Sequence, residues 1–193
     1  MSEQGVDKGR RRFLTAATTA VGAVGAGFVA VPFIKNMMPS EAVKAASTTE
    51  VDLSKVEPGM QVMVLWQGKP VAIVNRTPAM LASLKKVTNT LVDPNSDQSE
   101  QPEYAKNEWR SRKPEYLVML SICTHLGCVP LYKPEQGSVE PGWAGGYFCP
   151  CHGSKYDLAG RVLKNVPAPL NMTIPPYALF EGDKKVLIGK DVA

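Results

Sequence analysis

The stretch "SICTHLGCVP" occupies residues 121–130, and "CPCHGS" follows it at residues 149–154. Together they contain all four cysteines and both histidines of the 193-residue chain. Their order is Cys123-x-His125-x-x-Cys128, then twenty residues, then Cys149-x-Cys151-His152. Thiolates and imidazoles are ligands for zinc and for iron–sulfur clusters. The two stretches therefore predict one metal centre shared between two loops.

Several familiar centres do not fit this spacing. Tetrahedral zinc takes four ligands, so a zinc site would leave two of the six candidates unused. Haem attachment needs C-x-x-C-H and a thioredoxin-type dithiol needs C-x-x-C, whereas Cys149 and Cys151 are separated by one residue. A set of structural cysteines without metal would leave both imidazoles unexplained.

A 2Fe-2S cluster fits the count, because each iron already has two bridging sulfides and needs two ligands from the protein. One cysteine and one histidine from each stretch can supply all four ligands, which leaves one cysteine in each stretch. In an oxidising compartment such a spare pair is expected to form a disulfide that joins the two loops.

The pair "CTHLGC" and "CPCHGS" resembles the Rieske iron–sulfur proteins. The longer stretches "CTHLGCVP", "GGYFCPCHGSKYD" and "GRVLKNVPAPLNM" resemble the Rieske subunits of ubiquinol–cytochrome c reductase, respiratory complex III, over nearly the whole chain. The resemblance implies a mainly β protein: an antiparallel β-sandwich head with a two-loop cluster-binding subdomain, and one N-terminal transmembrane helix.

The resemblance also implies a single Rieske-type 2Fe-2S cluster and assigns a role to each of the six cysteines and histidines. It makes Cys123 and Cys149 ligands of one iron, and His125 and His152 ligands of the other. It makes Cys128 and Cys151 the disulfide.

Further residues of the cofactor site follow from the same resemblance. Ser154, after Gly153, is expected to donate a hydrogen bond to a bridging sulfide, and Tyr156 to a ligand cysteine sulfur. Pro167 and Pro169 resemble the proline loop that shields the cluster. Without the resemblance, Ser154 would be read as a turn residue and Tyr156 as a half-buried strand residue.

The implied activity is that of an oxidoreductase and translocase subunit. His152, an exposed imidazole, is expected to hydrogen-bond ubiquinol, while His125 takes part as the second imidazole and Leu126 enters the quinone pocket. The electron would pass from ubiquinol to a c-type cytochrome with release of protons. The implied partners are cytochrome b and cytochrome c1 in a dimeric complex.

The N-terminal forty residues differ in kind from the rest. Residues 13–34 contain no charged side chain, and 22 residues of helix would span about 33 Å, the thickness of a bilayer core. Residues 1–12 are the predicted cytoplasmic N-terminus, and "GRRRFL", which runs from Gly9 to Leu14, resembles a twin-arginine export signal. A cleaved signal peptide is the alternative, but no A-x-A site follows the apolar run. Basic residues before the span predict a bacterial inner-membrane protein with a single pass and a periplasmic C-terminal head.

The remaining boundaries follow from composition. Residues 35–52 are small and polar and predict a flexible linker, and residues 53–193 form the predicted Rieske domain, with its cluster-binding part at about 121–170. Residues 93–113 are polar and predict an insertion between strands, with Tyr104 and Trp109 packing on an unidentified surface.

Short apolar patterns predict six strands, at residues 61–66, 70–75, 115–120, 146–149, 177–182 and 185–189. Hairpin turns are expected at Gly68 with Lys69 and at Gly182 with Asp183. One helix is expected after Thr77 as N-cap, with Pro78 at its first position.

Other functions are weaker. The net charge is +4, but the basic residues cluster at the amino terminus and form no stripe with aromatic residues, which argues against nucleic-acid binding. A ring-hydroxylating oxygenase would need two further histidines. The membrane anchor and the spare cysteine pair argue against a soluble Rieske ferredoxin. The match from "PAPLNM" to the terminal hairpin argues against the small subunit of an arsenite oxidase.

Overall fold

The computed structural model describes residues 7–40, 43 and 47–191. The chain divides into two compact units, residues 1–45 and residues 46–193. The first contains a long helix, and the second, here called the head, contains every described strand.

Helix α1 spans Lys8–Met37 and contains the predicted apolar span. The Asp7 carboxylate caps it by accepting hydrogen bonds from the backbone N–H groups of Gly9 and Arg10. None of its side chains is buried, and its length and apolar composition are sufficient to cross a bilayer. The helix fits a single-pass membrane anchor, because an apolar surface of this size needs lipid or protein to cover it.

The predicted linker, residues 35–52, is shorter at both ends in the structure. Its first three residues continue α1, because none of them breaks a helix. Its last four residues form strand β1, because they find a hydrogen-bonded partner strand far along the sequence. Residues 41, 42 and 44–46 lie outside the described residues, so the flexibility of the linker stays a prediction.

In the described part of the head, nine short strands form three antiparallel sheets of three strands each. The strands are β1 Thr49–Asp52, β2 Gln61–Trp66, β3 Lys69–Asn75, β4 Tyr116–Leu120, β5 Leu131–Lys133, β6 Gly146–Phe148, β7 Lys155–Tyr156, β8 Tyr177–Phe180 and β9 Lys185–Ile188. The sheet orders are β1-β9-β8, β2-β3-β4 and β5-β6-β7. The mainly β fold class with antiparallel sheets is confirmed. All six predicted strands are present, and β1, β5 and β7 are additional.

The core runs between the sheets, and one continuous cluster of buried side chains includes residues of all three. Residues 71–74 of β3 are buried on both faces, as expected for an uninterrupted apolar run. The Trp66 indole N–H of β2 also donates a hydrogen bond of 2.6 Å to the carbonyl of Ser47, which lies just before β1.

The predicted turns and the helix lie close to their expected positions. The β2–β3 turn consists of Gln67 and Gly68, both with positive φ, and Lys69 already pairs with Trp66. The turn therefore starts one residue earlier than predicted, because a two-residue hairpin of this kind needs positive φ at both positions. Helix α2 spans Pro78–Lys86, and its predicted cap is confirmed by the Thr77 hydroxyl, which accepts from the Met80 N–H.

The segment 93–113 is folded into the head. Ala105 and Arg110 are fully buried. The Tyr104 ring packs edge-on against Tyr177 at 5.4 Å between centroids, while Trp109 packs against the apolar side of α2. The surface that Tyr104 contacts is thus the start of β8.

Candidate metal centre

Two loops with the same backbone hydrogen bonds hold the cysteines and histidines. In the first ligand loop, residues 123–128, the Cys123 N–H donates to the Cys128 carbonyl, and the Gly127 N–H donates to the Cys123 carbonyl. In the second ligand loop, residues 149–154, the Cys149 N–H and the Gly153 N–H make the equivalent bonds. Gly127 and Gly153 both have positive φ, which lets each loop reverse at the same position.

The four predicted ligands converge between these loops. Cys123 and Cys149 are buried and are not disulfide-bonded. The imidazole rings of His125 and His152 lie with their centroids 4.7 Å apart and nearly perpendicular. His125 is half-buried and His152 is exposed, so one imidazole edge faces solvent.

A disulfide between Cys128 and Cys151 joins the two ligand loops, and the predicted pairing is confirmed. The Cys149 sulfur lies within 4.8 Å of both disulfide sulfurs. These three sulfurs do not form a metal site of their own, because two of them are already bonded to each other. Only Cys149 contributes a free thiol to this group.

The Tyr156 hydroxyl lies 3.2 Å from the Cys123 sulfur, to which it donates. Strand β7 sets this position, since Tyr156 pairs with Tyr147 of the neighbouring strand β6. A side chain at Gly146 would collide with the Tyr156 carbonyl, so glycine is required for the two strands to approach. The Thr124 N–H also donates to the Tyr156 oxygen over 3.0 Å.

The surroundings of the two thiols act on their pKa values in opposite directions. Burial acts to raise the pKa of Cys123, but hydrogen bonds from Tyr156 and from the His125 N–H outweigh it, so its pKa lies below the usual value. Burial raises the pKa of Cys149. Burial and the Cys123 contact also raise the pKa of Tyr156, which keeps its phenol protonated and able to donate.

The other predicted site residues surround the ligand loops. Ser154 is fully buried, and its oxygen accepts a hydrogen bond of 3.1 Å from the Ala168 N–H, between Pro167 and Pro169. This bond occupies the oxygen and leaves the hydroxyl proton free to donate. Leu126 is 71% exposed, which places an apolar side chain in solvent beside His125.

Sequence reasoning missed four residues that support these groups. The Thr124 hydroxyl donates to the Leu170 carbonyl over 2.7 Å, and Thr124 could have been found because it lies inside the motif. Asp157 and Arg161 form a buried ion pair of 2.7 Å just after Tyr156, and Asn171 is buried at the end of the proline stretch. No spacing pattern marks the last three residues.

The donor set suits a 2Fe-2S cluster. Each ligand loop offers one buried, unbridged cysteine and one histidine, and the remaining cysteine of each loop is consumed by the disulfide. Two thiolates and two imidazoles would supply the two protein ligands that each iron needs in addition to the two bridging sulfides. Hydroxyl groups of Tyr156 and Ser154 border the cysteine sulfurs, as expected around sulfur that gains negative charge.

Comparison with known proteins also indicates a Rieske-type 2Fe-2S centre. Residues 105–177 match the family model of the Rieske [2Fe-2S] domain, and residues 1–40 match that of the ubiquinol–cytochrome c reductase Fe-S subunit TAT signal. The chain is 55% identical over 194 residues to the ubiquinol–cytochrome c reductase iron–sulfur subunit of Allochromatium vinosum, covering 99% of this chain and 93% of that one.

The chain belongs to the family of Rieske iron–sulfur subunits of ubiquinol–cytochrome c reductase.

Other members of this Rieske family also match over most of this chain. The iron–sulfur subunit of Rhodospirillum rubrum is 44% identical, covering 97% of this chain and 96% of its own. The mitochondrial cytochrome b-c1 complex subunit Rieske of Neurospora crassa is 44% identical, covering 92% of this chain and 69% of its own. A chain in the structure "Hyperthermophilic respiratory Complex III" superposes with a TM-score of 0.50 at 25% identity, covering 89% of this chain and 98% of that one.

Membership of the Rieske family establishes the cofactor and the general setting. The cofactor is a Rieske-type 2Fe-2S cluster. The setting is a membrane complex with oxidoreductase activity, in which the chain is a subunit.

Proposed function

We propose that the chain transfers electrons from ubiquinol to cytochrome c1 as the iron–sulfur subunit of ubiquinol–cytochrome c reductase. The quinol oxidation site would be formed with cytochrome b, on the outer side of a bacterial inner membrane, within a dimeric complex. The observation that carries the proposal is the pair of ligand loops, which holds two buried cysteines beside two imidazoles, one of them exposed.

In this proposal Cys123 and Cys149 bind one iron, and His125 and His152 bind the other. The cluster supplies a one-electron acceptor next to imidazoles that can exchange protons. The disulfide keeps the two ligand loops together, so that all four ligands keep their relative positions when the charge of the site changes.

His152 has the role of contacting ubiquinol. Its ring is exposed, and the ring nitrogen that does not bind iron can accept a hydrogen bond and then a proton from the quinol hydroxyl. Leu126 is exposed beside the other imidazole and would enter the apolar quinone pocket. Burial of that side chain in the partner removes apolar surface from water and favours docking.

Tyr156 and Ser154 have the role of favouring the reduced state. Both hydroxyl groups lie where they can donate to sulfur, and donors to sulfur stabilise the form with more negative charge. The proline residues Pro167 and Pro169, with Gly153, would keep water away from the same sulfurs.

The head is proposed to lie in the periplasm. Lys8 and three consecutive arginines precede the apolar part of α1, and such basic flanks stay on the cytoplasmic side. The Cys128–Cys151 disulfide agrees with an oxidising compartment.

The docking role of Leu126 can be tested against a matched control. Leu126→Ala should lower ubiquinol–cytochrome c reductase activity at least tenfold, whereas the resonance signal of the reduced cluster stays at full intensity. Leu65 is 70% exposed on strand β2, almost as much as Leu126 at 71%, but it lies away from the ligand loops in sequence. Leu65→Ala should leave the activity unchanged.

The proposal fails if Leu126→Ala and Leu65→Ala have the same activity. It also fails if membranes containing the wild-type protein show no reduced-state 2Fe-2S resonance, or if the purified chain contains one zinc. After removal of the cluster without reductant, denatured protein should have two reactive thiols. Four reactive thiols would contradict the disulfide.

A further inference from the structure

The proline loop, defined here as residues 166–170, contacts both ligand loops. The Ala168 N–H donates to the Ser154 hydroxyl over 3.1 Å, and the Leu170 carbonyl accepts from the Thr124 hydroxyl over 2.7 Å. Ala168 is only 3% exposed. A displacement of this loop would therefore disturb one residue of each ligand loop.

Asn171 directly follows this loop and is buried, with 1% of its surface exposed. Its side-chain oxygen accepts from the Val162 N–H over 2.8 Å. Its side-chain nitrogen donates to the Asp93 carbonyl over 2.9 Å and to the Ser96 hydroxyl over 3.0 Å. Its backbone N–H donates to the Ser99 hydroxyl over 3.2 Å. Three of these four bonds go to the segment 93–113.

The partners of Asn171 are themselves fixed. Asp93 is 4% exposed, and its carboxylate accepts from the N–H groups of Asp97 and Gln98 and from the Ser99 hydroxyl, at 2.8 to 3.1 Å. Ser96 is fully buried. A buried carboxylate with several donors resists displacement, because each broken bond leaves a desolvated charge less well compensated.

The same segment reaches the turn that follows Tyr156. Arg110 is fully buried, and it donates from one guanidinium nitrogen to the carbonyls of Ala159 and Gly160, each at 3.3 Å. Burial lowers the pKa of Arg110 to about 10, so it is still a cation at neutral pH. A buried cation is costly and is retained where its hydrogen bonds hold elements together.

From these contacts we propose that segment 93–113 positions the proline loop against the cluster-binding loops, and that Asn171 is the positioning residue that transmits this support. The proposal rests on the proposed function, since it assumes that Ser154 and Tyr156 act on the cluster. Asn171 does not touch the ligands. It acts through Ala168 on Ser154, and through Leu170 and Thr124 on Tyr156.

The first test compares variants in the assembled membrane complex. Asn171→Ala removes all side-chain bonds to segment 93–113 and should let the proline loop move, which weakens the donors at Ser154 and Tyr156. At the midpoint potential of the wild type, the ratio of reduced to oxidised cluster should fall by about threefold or more, measured by resonance-monitored redox titration. Exchange of the Ala168 amide, which is hydrogen-bonded to Ser154, should accelerate.

A matched control lies in the same segment. Glu103 makes an ion pair of 2.6 Å with Lys106 on the surface and is mostly exposed. Glu103→Gln should leave both the midpoint potential and the exchange rates at wild-type values, because exposed pairs contribute little.

A second variant covers the case in which Asn171→Ala does not assemble. Ser99→Ala removes one acceptor of Asn171 and one donor to Asp93, and it should change the midpoint potential and the exchange rates in the same direction by a smaller amount. In a double variant, Asp93→Ala should add less to the shift of Asn171→Ala than it causes alone, since coupled residues are not additive.

The proposal is overturned if Asn171→Ala, or Ser99→Ala where the former does not assemble, melts earlier but keeps the wild-type potential and line shape. Asn171 would then be merely structural. Absence of any 2Fe-2S signal in the wild type would instead overturn the proposed function. Amide exchange in Asn171→Ala then still decides whether segment 93–113 holds the proline loop.

Discussion

Tyr156 and Tyr147 face each other across strands β7 and β6, but their hydroxyl groups have different surroundings. The Tyr156 hydroxyl donates to the Cys123 sulfur. The Tyr147 hydroxyl is buried and has no hydrogen-bond partner among the described residues. The two tyrosines therefore allow the effect of a donor to sulfur to be separated from that of removing a buried phenol oxygen.

Tyr156→Phe should lower the midpoint potential of the cluster, because the reduced form loses one donor to a ligand sulfur. We expect the reduced-to-oxidised ratio at the wild-type midpoint to fall by about tenfold, which for one electron corresponds to about 59 mV. Redox titration followed by electron paramagnetic resonance measures this shift. Tyr147→Phe should leave the potential unchanged, and an equal shift in both variants would contradict the assignment.

The buried phenol of Tyr177 should make the free energy of unfolding decrease at alkaline pH. Burial raises its pKa above the usual value of 10, so the folded state binds this proton more tightly than the unfolded state. The resulting stabilisation is complete below pH 10 and is lost as the pH rises through the folded-state pKa, by up to about 1.4 kcal/mol for each pH unit.

Tyr177→Phe should consequently show a weaker dependence of stability on pH between about 10 and 11.5. At pH 8 the variant should be about 1 kcal/mol less stable, because the Arg112 N–H loses its acceptor. Urea unfolding at both ends of the range measures the difference. The same alkaline slope in variant and wild type would show that this phenol does not contribute.

At the scale of elements, the approach of β6 to β7 depends on Gly146. A β-carbon at this position would collide with the Tyr156 carbonyl, and the colliding atom is backbone, which cannot rotate away. Gly146→Ala should therefore separate the two strands, displace Tyr156 from Cys123 and destabilise the head by about 3 kcal/mol or more.

Gly137→Ala is the control for Gly146→Ala. Gly137 also has positive φ, but a β-carbon there would meet no atom within 4 Å. Its substitution should cost only the backbone strain, about 1 kcal/mol, and should leave the cluster content unchanged. Cluster content is measured from the integrated resonance signal, and similar losses in both variants would indicate strain rather than strand separation.

The elements also show what the sequence alone can reveal. Runs such as residues 71–74 are apolar throughout, and their burial on both faces follows from composition. Strand β7 has two residues, too few for any pattern, and it exists because β6 is available as a partner. Strand β1 was hidden in a polar stretch for the same reason, since its pairing with β9 is distant in sequence.

The candidate site divides in the same way. The disulfide was predicted correctly, and the candidate ligands could be named, because the two stretches resemble a motif whose chemistry restricts the positions of Cys and His. Asn171, Arg110 and Asp157 could not, because they act through hydrogen bonds to backbone carbonyls and N–H groups that exist only after folding. Segment 93–113 was therefore predicted only as an insertion between strands.

At the scale of the whole molecule, the two compact units differ in what they need from their surroundings. Helix α1 has no buried side chain, whereas the head has its own continuous core. We therefore expect the head to be stable without the helix, because it has a continuous core of its own.

A variant beginning at residue 46 should therefore be soluble without detergent and should retain the cluster with an unchanged midpoint potential. Its reductase activity should be lost, because it is no longer held at the membrane beside its partners. Sedimentation and resonance-monitored titration measure the first two properties. An aggregated or cluster-free product would show that the first unit contributes to folding of the head.

The closeness of Cys149 to the Cys128–Cys151 bridge has a chemical cost. In its deprotonated form Cys149 is a nucleophile beside an electrophilic sulfur–sulfur bond, and its attack would form a new bridge to Cys149 while releasing the thiolate of Cys128 or Cys151 as the leaving group. Binding to iron would withdraw electron density from this sulfur and lower its reactivity as a nucleophile. Once iron is lost, a single thiol–disulfide exchange can replace the Cys128–Cys151 bridge by one that includes Cys149. Cys149 is then no longer available to bind iron, so we expect loss of the cluster to be difficult to reverse.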